Sequence, residues 1–222
     1  MPEKIQFVRN RFVTDTTLIG KDLKDYWEDK PEADLDWKDR YSYEAELISN
    51  YKYKTVLDIG SGPGGLCQVV MEKPNIIYHL IDTKSAGKLH KERNYKGEFF
   101  VKDLENDFNT DGLLESYDMI IMNDFLEHIR NPSLIMTNLL DLMHEKSHLL
   151  ISIPNWRMGH GFFYPGLFDF DNIALFFHQH KYKLLMIYDS PLKCGKTPKL
   201  QSESSLPDGL LDSWNWYFVL KK

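Results

Sequence analysis

From residue 54 onward the sequence predicts an α/β fold: a doubly wound, seven-stranded, mostly parallel sheet with an antiparallel strand at its C-terminal edge. Three observations predict it. Short apolar runs bounded by turn residues alternate with helix-patterned segments. The first five runs are apolar on consecutive residues, as in a parallel sheet covered on both faces. Polar residues stand at the carboxyl end of each of these runs, where ligands bind in such sheets.

The elements follow in order. "KTVLDIG" (54–60) is the first strand, and "GLCQVVMEK" continues it as a helix. "NIIYHLID" is the second strand, ending at Asp82, and "EFFVKDL" the third, ending near Asp103. "YDMIIMND" is the fourth and "SHLLISIPN" the fifth, separated by the helical "NPSLIMTNLLDLMHEK". A helix, "DNIALFFHQHK", then leads to a strand, "YKLLMIYDS", and after a polar loop to a last strand, "SWNWYFVLKK". Two closing strands joined by a long loop form an antiparallel edge pair.

Residues 1–50 read as an N-terminal helical cover, with helical patterns in "TDTTLIGKDLKDYWEDK" and "DWKDRYSYEAELISNY". Such a segment either packs on the sheet edge or closes over a bound ligand. Residues 51–222 form the main domain, with an aromatic acceptor-side loop at 156–170 and a flexible loop at 191–210. The chain of 222 residues suffices for one well-cored α/β domain. No apolar run approaches the roughly 20 residues of a membrane helix. Cys67 and Cys194 make neither a disulfide framework nor a zinc pattern, which suits the cytoplasm. A net charge of −6 argues against a protein built to track a phosphate backbone.

"VLDIGSGPGG" carries Gly60, Gly62 and Gly65 in the G-x-G-x-x-G pattern of a Rossmann-like turn. A ligand can approach bare backbone there, and the following helix points its N-terminus at it. The glycines alone leave NAD(P) and S-adenosylmethionine both open. Asp82, 24 positions after Asp58, suits the ribose of either. Asp58 discriminates better, because an acid before the first glycine suits an ammonium and repels a pyrophosphate.

In these motifs the sequence resembles class I S-adenosylmethionine-dependent methyltransferases. "VLDIGSGPGG" looks like their first motif, D-x-G-x-G-x-G, matched by Asp58, Gly60, Gly62 and Gly64. "YHLID" looks like the second, whose acid, here Asp82, holds the ribose hydroxyls. "FVKDLE" resembles the segment that contacts adenine, here Asp103, with Leu104 walling the ring. "NDFLEHIRNP" resembles the motif after the fourth strand, and "LLISIPN" the fifth strand. The resemblance implies a cofactor site that also takes in Ser61, Thr83 and Asn123. The stretch before the fifth strand, "DLMHEKSHLL", lacks the usual glycine turn, so that connection is expected to be atypical.

Asp124, Glu127 and His128 have spacings of three and four, which would place them on one face of a helical turn. They resemble the E-x-x-E-H set of ubiquinone-biosynthesis and small-RNA 2′-O-methyltransferases, with Asp in place of the first Glu. That likeness implies Mg²⁺ or Mn²⁺ held by Asp124, Glu127, His128 and His160. The alternative is a hydrogen-bonded pocket wall of Glu127 and His128, with Asp124 facing solvent or capping the turn. His128 is the candidate base without a metal, and His128 and Asp124 are the candidate catalytic residues. His178 and His180 read as surface or satisfied residues. The activity implied is methyl transfer to an oxygen of a small-molecule acceptor. RNA 2′-O-methylation, a non-catalytic cofactor-binding partner subunit and an NAD(P) oxidoreductase are the competing readings.

Overall fold

The computed structural model describes residues 27, 31–72, 75–104, 108–129, 131–154, 170–190, 200–201 and 215–222. Its strands are β1 (Thr55–Ile59), β2 (Ile77–Asp82), β3 (Glu98–Val101), β4 (Tyr117–Asn123), β5 (Met143–Pro154), β6 (Lys183–Ser190), β7 (Leu200–Gln201) and β8 (Asn215–Lys221). They form one sheet in the order β3-β2-β1-β4-β5-β8-β6-β7. β1 to β5 run parallel, and β8 enters antiparallel to β5. The α/β class, the parallel sheet and the antiparallel C-terminal strand are therefore as the sequence predicts. Two details are added. β8 lies between β5 and β6 rather than at the rim, and the two-residue β7 adds an eighth strand beyond β6.

The alternation of side chains along each strand gives the sheet two apolar faces. Leu57, Ile59, Ile120, Met122, Leu149, Ile151 and Phe218 share one. Helices α4 (Pro132–Leu139) and α5 (Phe170–Gln179) cover it through Ile135, Met136, Leu139, Ile173 and Phe177. Val56, Tyr78, Leu80, Met119, Ile121, Leu150 and Tyr217 share the other. There α1 (Lys38–Ser49) and α2 (Gly65–Val70) pack together through Tyr41, Leu47, Ile48, Leu66, Cys67 and Val70, and α3 (Lys84–Glu92) links β2 to β3. Ile48 is fully buried, and removing such a side chain from water contributes about 2 kcal/mol. The helix predicted in "DWKDRYSYEAELISNY" is thus present, and it lies on the face of the central strands rather than at the sheet edge.

The stretch predicted as helix over 131–146 is shorter. Asn131 caps α4 by accepting the Leu134 N–H, and Pro132 opens the first turn. The helix ends at Leu139, a 3-10 turn follows, and β5 begins at Met143. Pairing with β4 jumps from Tyr117↔Met143 to Met119↔His148. The intervening residues fold on themselves: His144 N–H donates to Ser147 Oγ, which donates to the Tyr117 carbonyl at 2.6 Å. This bulge is the atypical connection that the missing glycine turn foreshadowed. The first segment predicted as helix (14–30) lies outside the described residues apart from Trp27. Residues 155–169 and 191–199 lie outside them too.

Candidate active site at the carboxyl ends of the strands

β1 delivers the glycine turn beside the end of β2. The N–H groups of Gly60 and Ser61 both donate to the Ile81 carbonyl, at 2.9 and 3.2 Å. Gly62 N–H donates to Asp82 Oδ2 at 2.7 Å, and Thr83 N–H to Asp82 Oδ1 at 2.6 Å. Ser61 Oγ donates to the Gly62 carbonyl. Gly64, the N-cap of α2, donates to the Ser61 carbonyl. Asp82 thus ties the second strand to the turn, and burial pushes its carboxyl up while these N–H donors oppose the shift.

Gly60 and Gly62 have φ of +71° and +56°, which side chains on Cβ disfavour. The space a Cβ would need is already filled by the chain itself. At Gly60 it would lie 2.4 Å from Phe125 Cδ2, and at Gly62 2.5 Å from Trp27 Cζ2. The glycines admit two aromatic rings of the protein.

Asp58 points from β1 toward α1 and α2 and is 2% exposed. Tyr78 Oη donates to its Oδ2 at 2.9 Å. Burial pushes its carboxyl up to about 7, with Glu44 and Asp82 pushing the same way and the Tyr78 bond opposing. Glu44 on α1 is fully buried and accepts from Arg40 Nε at 2.7 Å and from Tyr217 Oη at 2.8 Å. Burial raises it as well, against the attraction of Arg40.

Asp124 follows β4 in the left-handed region, with φ of +47°. Arg40 Nη1 reaches its Oδ2 at 2.5 Å, while Ser152 Oγ and Asn215 Nδ2 donate to Oδ1 at 2.7 and 2.6 Å. The expected helical face therefore does not form. The helical residues here are only Leu126–His128, a single 3-10 turn, and Asp124 lies outside it. Glu127 is fully buried, and burial, then Asp124, pushes its carboxyl well up. His128 Nε2 stands 3.6 Å from Glu127 Oε1, and its side chain is 14% exposed. Metal ligation requires ionised, available carboxylates. Asp124 is committed to Arg40, Ser152 and Asn215. Among the described residues no three His, Cys, Asp or Glu side chains are grouped to hold a metal ion. The predicted fourth ligand, His160, and most of the aromatic loop lie outside them.

At the mouth, Asn123 closes β4, and its Oδ1 is buried with no hydrogen-bond partner among the described residues. Asp103 is exposed two residues beyond β3, and Leu104 is buried against the core. His178 is exposed and His180 Nε2 lies 3.0 Å from Ser133 Oγ, so neither joins the site. A cavity of about 560 Å³ lined by Tyr51, Lys52, Tyr53, Lys54, Asn75, Ile76 and Asp118 sits at the opposite, amino ends of β1, β2 and β4.

A family model described as "Methyltransferase domain" matches residues 26–206. The chain belongs to the methyltransferase domain family. Among solved structures, a chain in the complex of the Haloferax volcanii Trm112 methyltransferase activator with a methyltransferase aligns with a TM-score of 0.66 at 12% identity. The alignment covers 90% of this chain and 96% of that one. The plantazolicin methyltransferase BamL, in complex with a triazolic desmethylPZN analog and SAH, aligns with a TM-score of 0.62 at 14% identity, covering 96% and 95%. An S-adenosylmethionine-dependent methyltransferase from Clostridium acetobutylicum aligns at 0.58 and 11% identity, covering 83% and 90%. A curated protein, the acetyl-CoA-benzylalcohol acetyltransferase of Clarkia breweri, is 23% identical over 99 residues, and the match spans 22% of its length. Family and fold bear out the resemblance to class I S-adenosylmethionine-dependent methyltransferases.

Within this methyltransferase the sequence reading missed Arg40, Glu44, Ser152, Asn215 and Tyr217. One signal was available. Arg40, Glu44, Leu47 and Ile48 fall at i, i+4, i+7 and i+8, so the charged pair shares the buried stripe of α1. No helix among the described residues is long and apolar enough to cross a membrane.

Proposed function

We propose that this methyltransferase methylates an oxygen of a small-molecule acceptor, using S-adenosylmethionine bound at the carboxyl ends of β1, β2 and β4. The observation that carries the cofactor assignment is the commitment of the turn's donors. With the N–H groups of Gly60, Ser61 and Gly62 engaged by Ile81 and Asp82, a pyrophosphate would find none of those three available. Asp82 and the Asn123 oxygen instead present acceptors at the mouth, with Asp58 behind the turn, which fits an ammonium and a sulfonium.

S-adenosylmethionine supplies a methyl group already activated for displacement. Each Asp82 oxygen keeps acceptor capacity beyond its backbone bond, and takes the ribose hydroxyls with it. Asp103 and Leu104 flank the adenine, and Thr83 and Ser61 line the approach. Asp58 stands behind the turn and sets the potential felt by the ammonium. His128, at the mouth after β4, takes the proton of the acceptor hydroxyl. A composition with two cysteines suits the cytoplasm, the location that belongs to this reading.

Calorimetry with S-adenosylhomocysteine and, separately, NADH tests the cofactor. The wild type should bind the former only, and Asp82→Ala should weaken it roughly tenfold, or about 1.4 kcal/mol. Unchanged affinity in the variant would sink the ribose assignment. A methyl-transfer panel of hydroxylated metabolites and RNA identifies the acceptor, and transfer to RNA alone would replace the small-molecule reading.

A further inference from the structure

We infer that Arg40 and Asp124 are positioning residues: the N-terminal helix, through one partly buried ion pair, holds the segment after β4 against the glycine turn and so shapes the cofactor site. The inference rests on the methyltransferase reading and assigns a role to a residue that lies outside every sequence motif.

Asp124 occupies a backbone conformation that favours glycine, at a cost on the order of 1 kcal/mol for another residue. What stabilises it is a convergence from three separate elements. Arg40 comes from α1, Ser152 from β5 and Asn215 from β8, and all three donate to its carboxylate. Its backbone N–H also donates to Ser152, at 3.2 Å to the carbonyl and 3.0 Å to Oγ. Arg40 is fixed in turn. Its Nε donates to Glu44, its Nη2 to Ser152 Oγ at 3.1 Å, and its guanidinium lies 5.8 Å from the centre of the Trp37 ring.

The turn made at Asp124 decides where the next residues go. Phe125 lands on Gly60, in the space a Cβ would fill. Leu126 and Glu127 are driven into the core, and His128 is left at the mouth. A continuous run of contacts therefore joins Arg40, Asp124, Phe125 and Gly60. The Arg40 and Asp124 side chains are 14% and 23% exposed, so this pair is far less screened than a surface ion pair. Lysine could not replace the arginine, because one ammonium cannot reach Glu44, Asp124 and Ser152 in a fixed plane.

The test is S-adenosylhomocysteine affinity by calorimetry beside thermal stability, for the wild type, Arg40→Met, Arg40→Lys, Asp124→Ala and Asp124→Asn. Arg40→Met and Asp124→Ala should each raise Kd roughly tenfold or more. Arg40→Lys should recover little. Asp124→Asn keeps an acceptor and tolerates the left-handed backbone, so its Kd should fall between Asp124→Ala and the wild type. A purely structural role would lower the melting temperature and leave the Kd of the folded protein alone. Ile135→Val, a core change in α4, should show that pattern. If Arg40→Met fails to fold, Arg40→Lys and Asp124→Asn carry the comparison. Variants binding within about twofold of a binding-competent wild type would overturn the inference alone. A wild type that does not bind S-adenosylhomocysteine would overturn the cofactor reading and the inference with it.

Discussion

Replacing Asp58 with asparagine should stabilise the ligand-free protein at pH 8 and do much less at pH 4. The carboxyl is buried, and its value rises from the ordinary 3.8 to about 7. Folding therefore favours the neutral acid. The contribution is fully present below the unfolded value near 4 and is lost as pH rises through 7, because the wild type must then bury an anion or hold a proton. A window of about three pH units corresponds to roughly 4 kcal/mol as an upper bound, at about 1.4 kcal/mol per unit. Asparagine matches the shape and still accepts from Tyr78 Oη, so the substitution removes the ionisation and little else. Glu44, Asp82 and Glu127 are also raised by burial and tilt both proteins the same way, so the difference between wild type and variant reads position 58 together with its coupling to Glu44 and Asp82. Urea unfolding of both at pH 4, 5, 6, 7 and 8, without ligand, measures it. A stability difference that stays constant from pH 4 to pH 8 would refute the reasoning.

Gly62→Ala should cost about 2–4 kcal/mol, from the left-handed backbone and the overlap with Trp27, and show as a lowered melting temperature. Adding Trp27→Ala should return the steric part and not the backbone part; a single variant that melts with the wild type would contradict both. Once the acceptor is known, methyl transfer should persist in EDTA, because Asp124 is committed to Arg40, Ser152 and Asn215. His128→Ala should slow transfer about 10²-fold or more with little change in S-adenosylhomocysteine affinity. Loss of activity in EDTA with recovery on Mg²⁺ or Mn²⁺ would return the metal reading.

The sheet was legible because a strand buried on both faces must be apolar throughout, and the polar residues that interrupt it mark its ends. That placed Gly60, Asp82 and Asn123 at one mouth without any structural information. The helix around Tyr41 was legible for a related reason, since its aromatics recur at the spacing of one helical face. The stretch after Leu139 was not. His144 to Ser147 form a bulge whose stability comes from a hydrogen bond to Tyr117, 30 positions away from Ser147, and local polarity suggests helix as readily. The D-x-x-E-H spacing misled because it presumes α-helical geometry. The left-handed turn at Asp124 is imposed by partners at positions 40, 152 and 215, with separations of 84, 28 and 91 residues. No local pattern records such a turn when the residue is not glycine.

The same network gives the site its electrical character. Burial shifts Glu44, Asp58, Asp82 and Glu127 all upward, each toward its neutral form. Arg40 offsets Glu44 and Asp124 most directly, since it is hydrogen-bonded to both. A cation entering this mouth acts in the opposite sense to burial and favours the ionised carboxylates. Its binding must therefore release protons, most of all near the titration of Asp58, and must tighten as pH rises through that value. An anionic pyrophosphate would have the reverse linkage, taking up protons and weakening as pH rises. The sign of the proton linkage, read from calorimetry in two buffers of different ionisation enthalpy, thus separates the two cofactor classes that the glycine pattern leaves open.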